Sequence, residues 1–278
     1  MSTHVRVAVL FGFGINCDRE TAAVFDMVGG TSERLHVNHL VQGNRSLEEF
    51  DILAVPGGFS FGDHLGSGRL LGNRLRFALR EQLQKFVSSG KPIIGICNGF
   101  QALVKTGLLP GPENASLEPD LIQRASLTLN NTGRYEDRWV TLEFDSESPC
   151  IWTKGIQRIE CPVRHGEGRF VMPTEGELDR LSSNQQLTVR YVDPSTEPGS
   201  EVSDELLPFP LSPNGSMRNI AGICDPTGLV FGLMPHPEAF YTMWLHPEHT
   251  SMNLKEDEWE GSGLQIFRNA VEYVRSQR

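Results

Sequence analysis

The sequence predicts an α/β fold, an open parallel sheet with helices on both faces, extended by a β-rich portion in the second half. Short apolar, β-branched runs alternate with segments of helical spacing through the first half of the chain. The runs end on glycine punctuation, at Gly12 and Gly14, at Pro56-Gly57-Gly58, and around Gly95 and Gly99. Residues able to do chemistry fall just after those runs, where the loops at the carboxyl ends of parallel strands gather.

Residues 5–11 form the first strand-like run, and a helix-like stretch follows over 18–28. Residues 35–40 come next. Residues 50–58 are then an apolar run stopped by Pro56. Leu75, Leu79, Leu83, Phe86 and Val87 give 73–88 a helical spacing. Residues 91–100 read as a strand running into a sharp turn, with a helix opening over 101–105. The second half offers strands at 139–144, 158–163, 187–192 and 228–236, and a closing helix at 264–274. Residues 194–213, rich in Pro, Ser and Glu, read as a surface loop or insertion. No repeat or linker divides the chain, so 1–278 reads as a single domain.

Of 278 residues, 38% are hydrophobic and 22% charged, which is the balance of a soluble globular protein and not of a disordered or fibrous one. No apolar run reaches the ~18–20 residues of a membrane helix. The N-terminus enters a strand-like run directly, so no signal peptide is expected and the expected location is cytoplasmic. With 25 Lys and Arg against 35 Asp and Glu the net charge is −10, which argues against nucleic-acid binding. Five scattered cysteines suit reduced thiols, not a disulfide framework.

Gly95-Ile96-Cys97-Asn98-Gly99 places a cysteine between a strand and a helix, with glycine two residues to either side. A nucleophile held on a tight strand-to-helix turn needs small neighbours at those positions. A helix N-terminus favours a thiolate there, and the N–H of Asn98 would face an oxyanion beside the sulfur. A lone cysteine is more often a buried structural residue; the strand context and both glycines favour the nucleophile. A base is needed, and His236 in Met234-Pro235-His236-Pro237-Glu238 closes a strand-like run. Pro237 holds His236 extended, which would turn Glu238 to the same side to orient the imidazole. An isolated His-Pro-Glu is ordinarily a turn, as a second copy at His246-Pro247-Glu248 shows. Pairing with the cysteine turn favours the triad Cys97, His236, Glu238. Gly58, ending the strand-like run at Pro56-Gly57-Gly58, would supply the other oxyanion N–H.

Together these blocks resemble the class I, triad, glutamine amidotransferases. The resemblance narrows to the glutaminase subunits of phosphoribosylformylglycinamidine synthase through a series of blocks in order along the chain. These are Phe13-Gly14-Ile15-Asn16-Cys17-Asp18-Arg19-Glu20, Pro56-Gly57-Gly58-Phe59-Ser60-Phe61-Gly62-Asp63 and Gly95-Ile96-Cys97-Asn98-Gly99-Phe100-Gln101, followed by Arg134-Tyr135-Glu136 with Arg138-Trp139-Val140. Then come His165-Gly166-Glu167-Gly168-Arg169-Phe170, Pro213-Asn214-Gly215-Ser216 and Met234-Pro235-His236-Pro237-Glu238. The resemblance implies a flavodoxin-like open sheet and hydrolysis of glutamine by attack of Cys97 on its side-chain amide. It further implies oxyanion contacts from Gly58 and Asn98, a substrate contact from Gln101, and a pocket-side position for the 165–169 loop. It also implies that ammonia goes to a separate ATP-binding synthetase acting on formylglycinamide ribonucleotide, with a small accessory subunit. ATP and magnesium belong to that partner, leaving no cofactor in this chain, and no P-loop pattern occurs here. Partner-dependent activity is therefore expected.

The chain departs from the stand-alone bacterial form over 64–69, nearer the fused large enzyme, and carries extra length near 110–119 and 194–213. A dinucleotide-binding reading of Gly12 and Gly14 is the weaker alternative, because Cys17 stands where a third small residue is required and Asn16 is bulky. Another cysteine hydrolase on the same fold, a non-catalytic interaction module, and a metal site at His246 and His249 rank lower, the last because no Cys or third His stands at ligand spacing.

Overall fold

The computed structural model describes residues 4–114, 121–252, 255 and 259–278. Strand β1 (Val5–Phe11) is almost wholly buried, and β3 (Ile52–Val55) and β4 (Ile93–Ile96) are wholly so. Continuous apolar runs are what strands covered on both faces require. Between them lie α1 (Asp18–Met27), β2 (Gly30–His36), α2 (Val37–Val41), α3 (Arg69–Ala78) and α4 (Arg80–Ser88). After β4 come α5 (Asn98–Thr106), β5 (Ser126–Thr128), β6 (Glu136–Phe144), β7 (Arg158–His165), β8 (Arg169–Val171) and α6 (Glu175–Ser183). The chain closes with β9 (Val189–Val192), β10 (Ile220–Cys224), β11 (Val230–Leu233) and α7 (Leu264–Ser276).

Nine strands form one sheet in the order β2-β1-β3-β4-β11-β10-β9-β6-β7, and β5 pairs with β8 apart from it. The first five pair in parallel, and the pairs from β11 to β7 are antiparallel. The expected parallel sheet and added β-rich portion are therefore one continuous sheet. From β1 the chain crosses outward to β2 and then back across to β3, so the carboxyl ends of β1 and β3 flank a topological switch point, where open α/β sheets form their clefts. No helix among the described residues is long and apolar enough to cross a membrane.

Several elements differ from the sequence reading. Residues 35–40 straddle two elements: β2 ends at His36, whose side chain accepts from the Asn38 N–H and caps α2. The rest of β2 is polar because it is an edge strand with one covered neighbour, so hydropathy does not reveal it. The helix over 73–88 is two helices broken at Leu79, a break hidden by the unbroken four-residue spacing of buried Leu75, Leu79 and Leu83. Strand β10, interrupted by Gly222, has no run long enough to show by pattern. Residues 194–213 carry no strand or helix but are tied down over the antiparallel strands. Gly199 N–H donates to Glu143 Oε1 (2.7 Å), and Arg190 Nη1 to Asp204 Oδ1 (2.7 Å). Of the extra segment at 110–119, residues 115–120 lie outside the described residues.

Candidate active site

The carboxyl ends of β1, β3, β4 and β11 supply the converging turns. At the end of β4, Cys97 has φ 51° and ψ −106°, a conformation that costs a non-glycine residue energy and persists only where its surroundings impose it. They do so on both sides. The Cys97 N–H donates to Leu233 O of β11 (2.8 Å), and its carbonyl accepts from Gln101 N–H (3.0 Å) in the first turn of α5. Gly99 lets that turn lie against β3; a Cβ there would stand 1.7 Å from Val55 O. The Cys97 Sγ approaches the Arg164 carbonyl of β7 (3.5 Å).

At the end of β11, the His236 N–H donates to Pro162 O (2.8 Å), and His236 Nδ1 lies 2.7 Å from Glu238 Oε1. Both side chains are buried. The His-Pro-Glu pattern predicts an extended chain here. Instead Pro237–Ala239 is a 3-10 turn that folds the carboxylate back onto the imidazole, the terminal proline favouring that start. Burial alone would lower the imidazole pKa. The Glu238 carboxylate, then the Cys97 and Cys17 thiols, outweigh it and hold His236 well above the usual histidine range. His236 Nε2 and Glu238 Oε2 are buried with no hydrogen-bond partner, the thiols lying close to the imidazole without hydrogen-bond geometry.

The end of β3 forms the floor. A Cβ on Gly57 would meet His236 Cε1 at 2.8 Å, Cys17 Sγ at 3.3 Å and Cys97 Cβ at 3.5 Å, so a bare backbone is needed where the three side chains meet. Its carbonyl accepts from the Asn16 and Cys17 N–H groups (3.3 and 3.2 Å), which docks the turn after β1. Gly58 has φ +146° and bridges to Ile15; a Cβ there would lie 2.6 Å from Gly14 O.

Asn98 is the first residue of α5, so its N–H has no acceptor within the helix. Its side chain is a hub. Oδ1 accepts from Ser60 N–H (3.1 Å), and Nδ2 donates to Asp63 Oδ1 (3.1 Å) and Gln101 Oε1 (2.9 Å). Gln101 Nε2 donates to Glu167 O (2.7 Å), and Glu167 Oε2 accepts from Ser67 N–H (3.1 Å). Thus the 60–68 turn, the Cys97 turn and the 165–168 loop are bonded into one rim. Burial raises the pKa of Asp63, opposed by hydrogen bonds from Ser67, Gly68 and Asn98 and reinforced by nearby Glu167.

Behind the rim, buried His165 donates from Nδ1 to Asn130 Oδ1 (3.1 Å), and Asn214 Nδ2 stands 3.5 Å from its Nε2. Desolvation lowers its pKa to about 3, with the charge on His236 adding to the effect, so this imidazole is neutral. At the mouth, Phe13, Phe59 and Tyr135 are about half exposed, and Phe59 stacks on Tyr135 at 6.2 Å between ring centroids.

The structure therefore brings Cys97, His236, Glu238, Gly58, Asn98 and Gln101 to one cleft. It leaves the second His-Pro-Glu elsewhere, with His246 Nε2 2.7 Å from Glu160 Oε2 and the ring against Trp139. Sequence reasoning missed Cys17 and Asp63 as members of the site, whereas Glu167 lies in the 165–169 loop expected beside the pocket. The available signal for Cys17 was its place in the turn after the first parallel strand. All five cysteines are free and buried.

Residues 4–274 match the CobB/CobQ-like glutamine amidotransferase domain. A relative from Dehalococcoides mccartyi, phosphoribosylformylglycinamidine synthase subunit PurQ, is 44% identical over 271 residues, covering 98% of this chain and 98% of its own length. The protein of the same name from Methanococcus maripaludis strain C7 is 40% identical over 279 residues, covering 96% and 97%. The chain belongs to the PurQ family. The family and fold expected from the sequence blocks are thereby borne out. Among solved structures, that of PurLQS from Thermotoga maritima superposes on 97% of this chain and 99% of its own, with TM-score 0.69 and 26% identity. A glutamine amidotransferase from the same organism, at 16% identity and TM-score 0.52, shares the PurQ fold.

Proposed function

We propose that this chain is the glutaminase subunit of phosphoribosylformylglycinamidine synthase, with Cys97 as nucleophile, His236 as base and Glu238 as the group that orients it. One observation carries the reading: a strained cysteine at a helix N-terminus stands beside a buried imidazole whose far nitrogen is bonded to a carboxylate and whose near nitrogen has no partner. The raised affinity of His236 for a proton suits removal of the Cys97 proton. Sγ then attacks the side-chain amide carbon of glutamine. The Gly58 and Asn98 N–H groups hold the resulting oxyanion, and Gln101 lines the substrate side of the rim. Collapse expels ammonia, which takes its proton from the imidazolium. Water, deprotonated by His236, hydrolyses the glutamyl thioester and releases glutamate.

Ammonia free in solution is lost, so the product is passed to an ATP-binding synthetase that makes formylglycinamidine ribonucleotide from formylglycinamide ribonucleotide. A small accessory subunit completes the assembly, by analogy with the relatives' names and the PurLQS assembly. ATP and magnesium are used there, and this chain needs no cofactor. A cytoplasmic location fits that chemistry. The test is Cys97→Ala in the assembled enzyme. Glutamine-dependent synthesis should fall below a hundredth of the wild-type rate, and added ammonium should still support synthesis. Retention of glutamine-dependent synthesis would refute the assignment.

A further inference from the structure

Cys17 is not used by the proposed reaction, yet it stands against its base. One donor atom each from Cys17, His236 and Glu238 lie within 4.8 Å of one another, and all three residues are buried. Two polar atoms in this group, His236 Nε2 and Glu238 Oε2, are buried and unpartnered. A buried polar atom left unpaired is unfavourable, so each favours any group that can satisfy it. The bare backbone of Gly57 lies against both the imidazole and the Cys17 sulfur, with no side chain of its own between them.

We propose that Cys17, His236 and Glu238 form a binding site for a soft divalent cation, Zn2+ fitting best, whose occupation stops glutamine hydrolysis. The donor set is one sulfur, one nitrogen and one oxygen, a combination that zinc accepts with an open fourth position. Zinc bonds of ~2.0–2.3 Å place tetrahedral donors roughly 3.3–3.8 Å apart, so a contraction on the order of 1 Å closes the site. Thiolate and imidazole donors discriminate against Mg2+ and Ca2+. On binding, the Cys17 thiol and the His236 imidazolium each release a proton to solvent. Its thiolate and the Glu238 carboxylate then neutralise the dication, which removes the main penalty against a buried ion. With the imidazole lone pair on the metal, His236 has none for the Cys97 proton. The inhibition rests on the triad reading above; the binding rests only on the donors.

The test uses the purified full chain, stripped of metal and kept reduced with a phosphine, with Zn2+ as probe. Cys97→Ala leaves the proposed ligands intact and should bind one Zn2+ per chain in competition with a chromophoric chelator. Adding Cys17→Ser should weaken that binding by about a hundredfold or more, and Mg2+ should not compete. Zn2+ should inhibit wild-type glutamine turnover, with the half-inhibitory concentration rising by a similar factor in Cys17→Ser. Zinc-edge X-ray absorption of the wild type needs no variant and should report one sulfur with nitrogen and oxygen neighbours. No sulfur, two sulfurs, equal binding by Cys17→Ser, or loss of binding in Cys97→Ala would overturn the site. Zinc bound as proposed with turnover unimpaired would leave the site standing and overturn both the inhibition and His236 as the base.

Discussion

Replacing Gly99 by alanine tests whether the cysteine turn is positioned by backbone contact between α5 and β3. The added Cβ would stand 1.7 Å from Val55 O, 2.6 Å from Val55 C and 3.1 Å from Pro56 O. The closest ordinary carbon–oxygen approach is ~3.3 Å, so the overlap with Val55 O is about 1.5 Å. No side chain can rotate to relieve it, because the obstacle is main chain. Val55 is wholly buried and paired in register with Gly95 of β4, so the strand has no free direction of movement. The first turn of α5 must lift away, carrying Cys97 and Asn98 with it. Overpacking costs about 1–3 kcal/mol, and a rigid backbone obstacle belongs at the upper end. At roughly 2 °C per kcal/mol for a chain of this size, the melting temperature should fall by about 6 °C. A shift of ~1 Å at a reacting atom costs on the order of a hundredfold in rate, so glutamine turnover should fall by at least that factor, mostly in kcat. Scanning calorimetry and a coupled glutamate assay with the partner present measure the two effects. Unchanged melting and turnover within threefold of wild type would refute the claim that this contact sets the nucleophile.

Three further outcomes follow from the same geometry. Glu238→Gln removes the charge 2.7 Å from His236 Nδ1 but keeps a side chain of the same shape. The loss of a charge-assisted bond, ~1.5–3 kcal/mol, predicts a 10- to 100-fold fall in kcat/KM, smaller than for His236→Ala. The acid limb of its pH profile should also move to lower pH, because the base loses the carboxylate that raises its affinity for a proton; equal severity of the two variants would count against an orienting role. His165 has its pKa lowered from 6.5 to about 3 by burial, so below pH 6.5 the unfolded chain takes up a proton that the folded one refuses. Stability should fall on acidification through that window by up to ~1.4 kcal/mol per pH unit, and His165→Gln should flatten melting temperature against pH between 6.5 and 4. Titrating the synthetase partner with its nucleotide into the purified chain should raise glutamine turnover several-fold by favouring the competent arrangement of the rim around Gly58 and His165. Full turnover by the isolated chain would remove that gating while leaving the triad as it is.

The placing of residues around the cleft was legible in the sequence wherever local chain geometry decides it. A cysteine between two glycines after an apolar strand, a strand stopped by Pro-Gly-Gly, and a histidine at the end of another strand are constraints that act over a few residues. Each therefore leaves a residue pattern. The fully buried strands were legible for the same reason, since burial on both faces demands an apolar residue at every position. Strand β2 and strand β10 were not. The first is a polar edge, and the second is short and broken by Gly222, so only pairing with neighbours makes them strands. The approach of Glu238 to His236 was expected from an extended chain but is made by a 3-10 turn; Pro237 permits either, and the packing of Gly263 against the Pro237 carbonyl is a contact from a distant segment. The place of Cys17 beside the imidazole belongs wholly to the tertiary structure. It depends on the carbonyl of Gly57 capturing two N–H groups from a turn some forty residues earlier, and a hydrogen bond to a backbone carbonyl selects no side chain, so the sequence marks the turn after the first strand but not which of its side chains meets the imidazole.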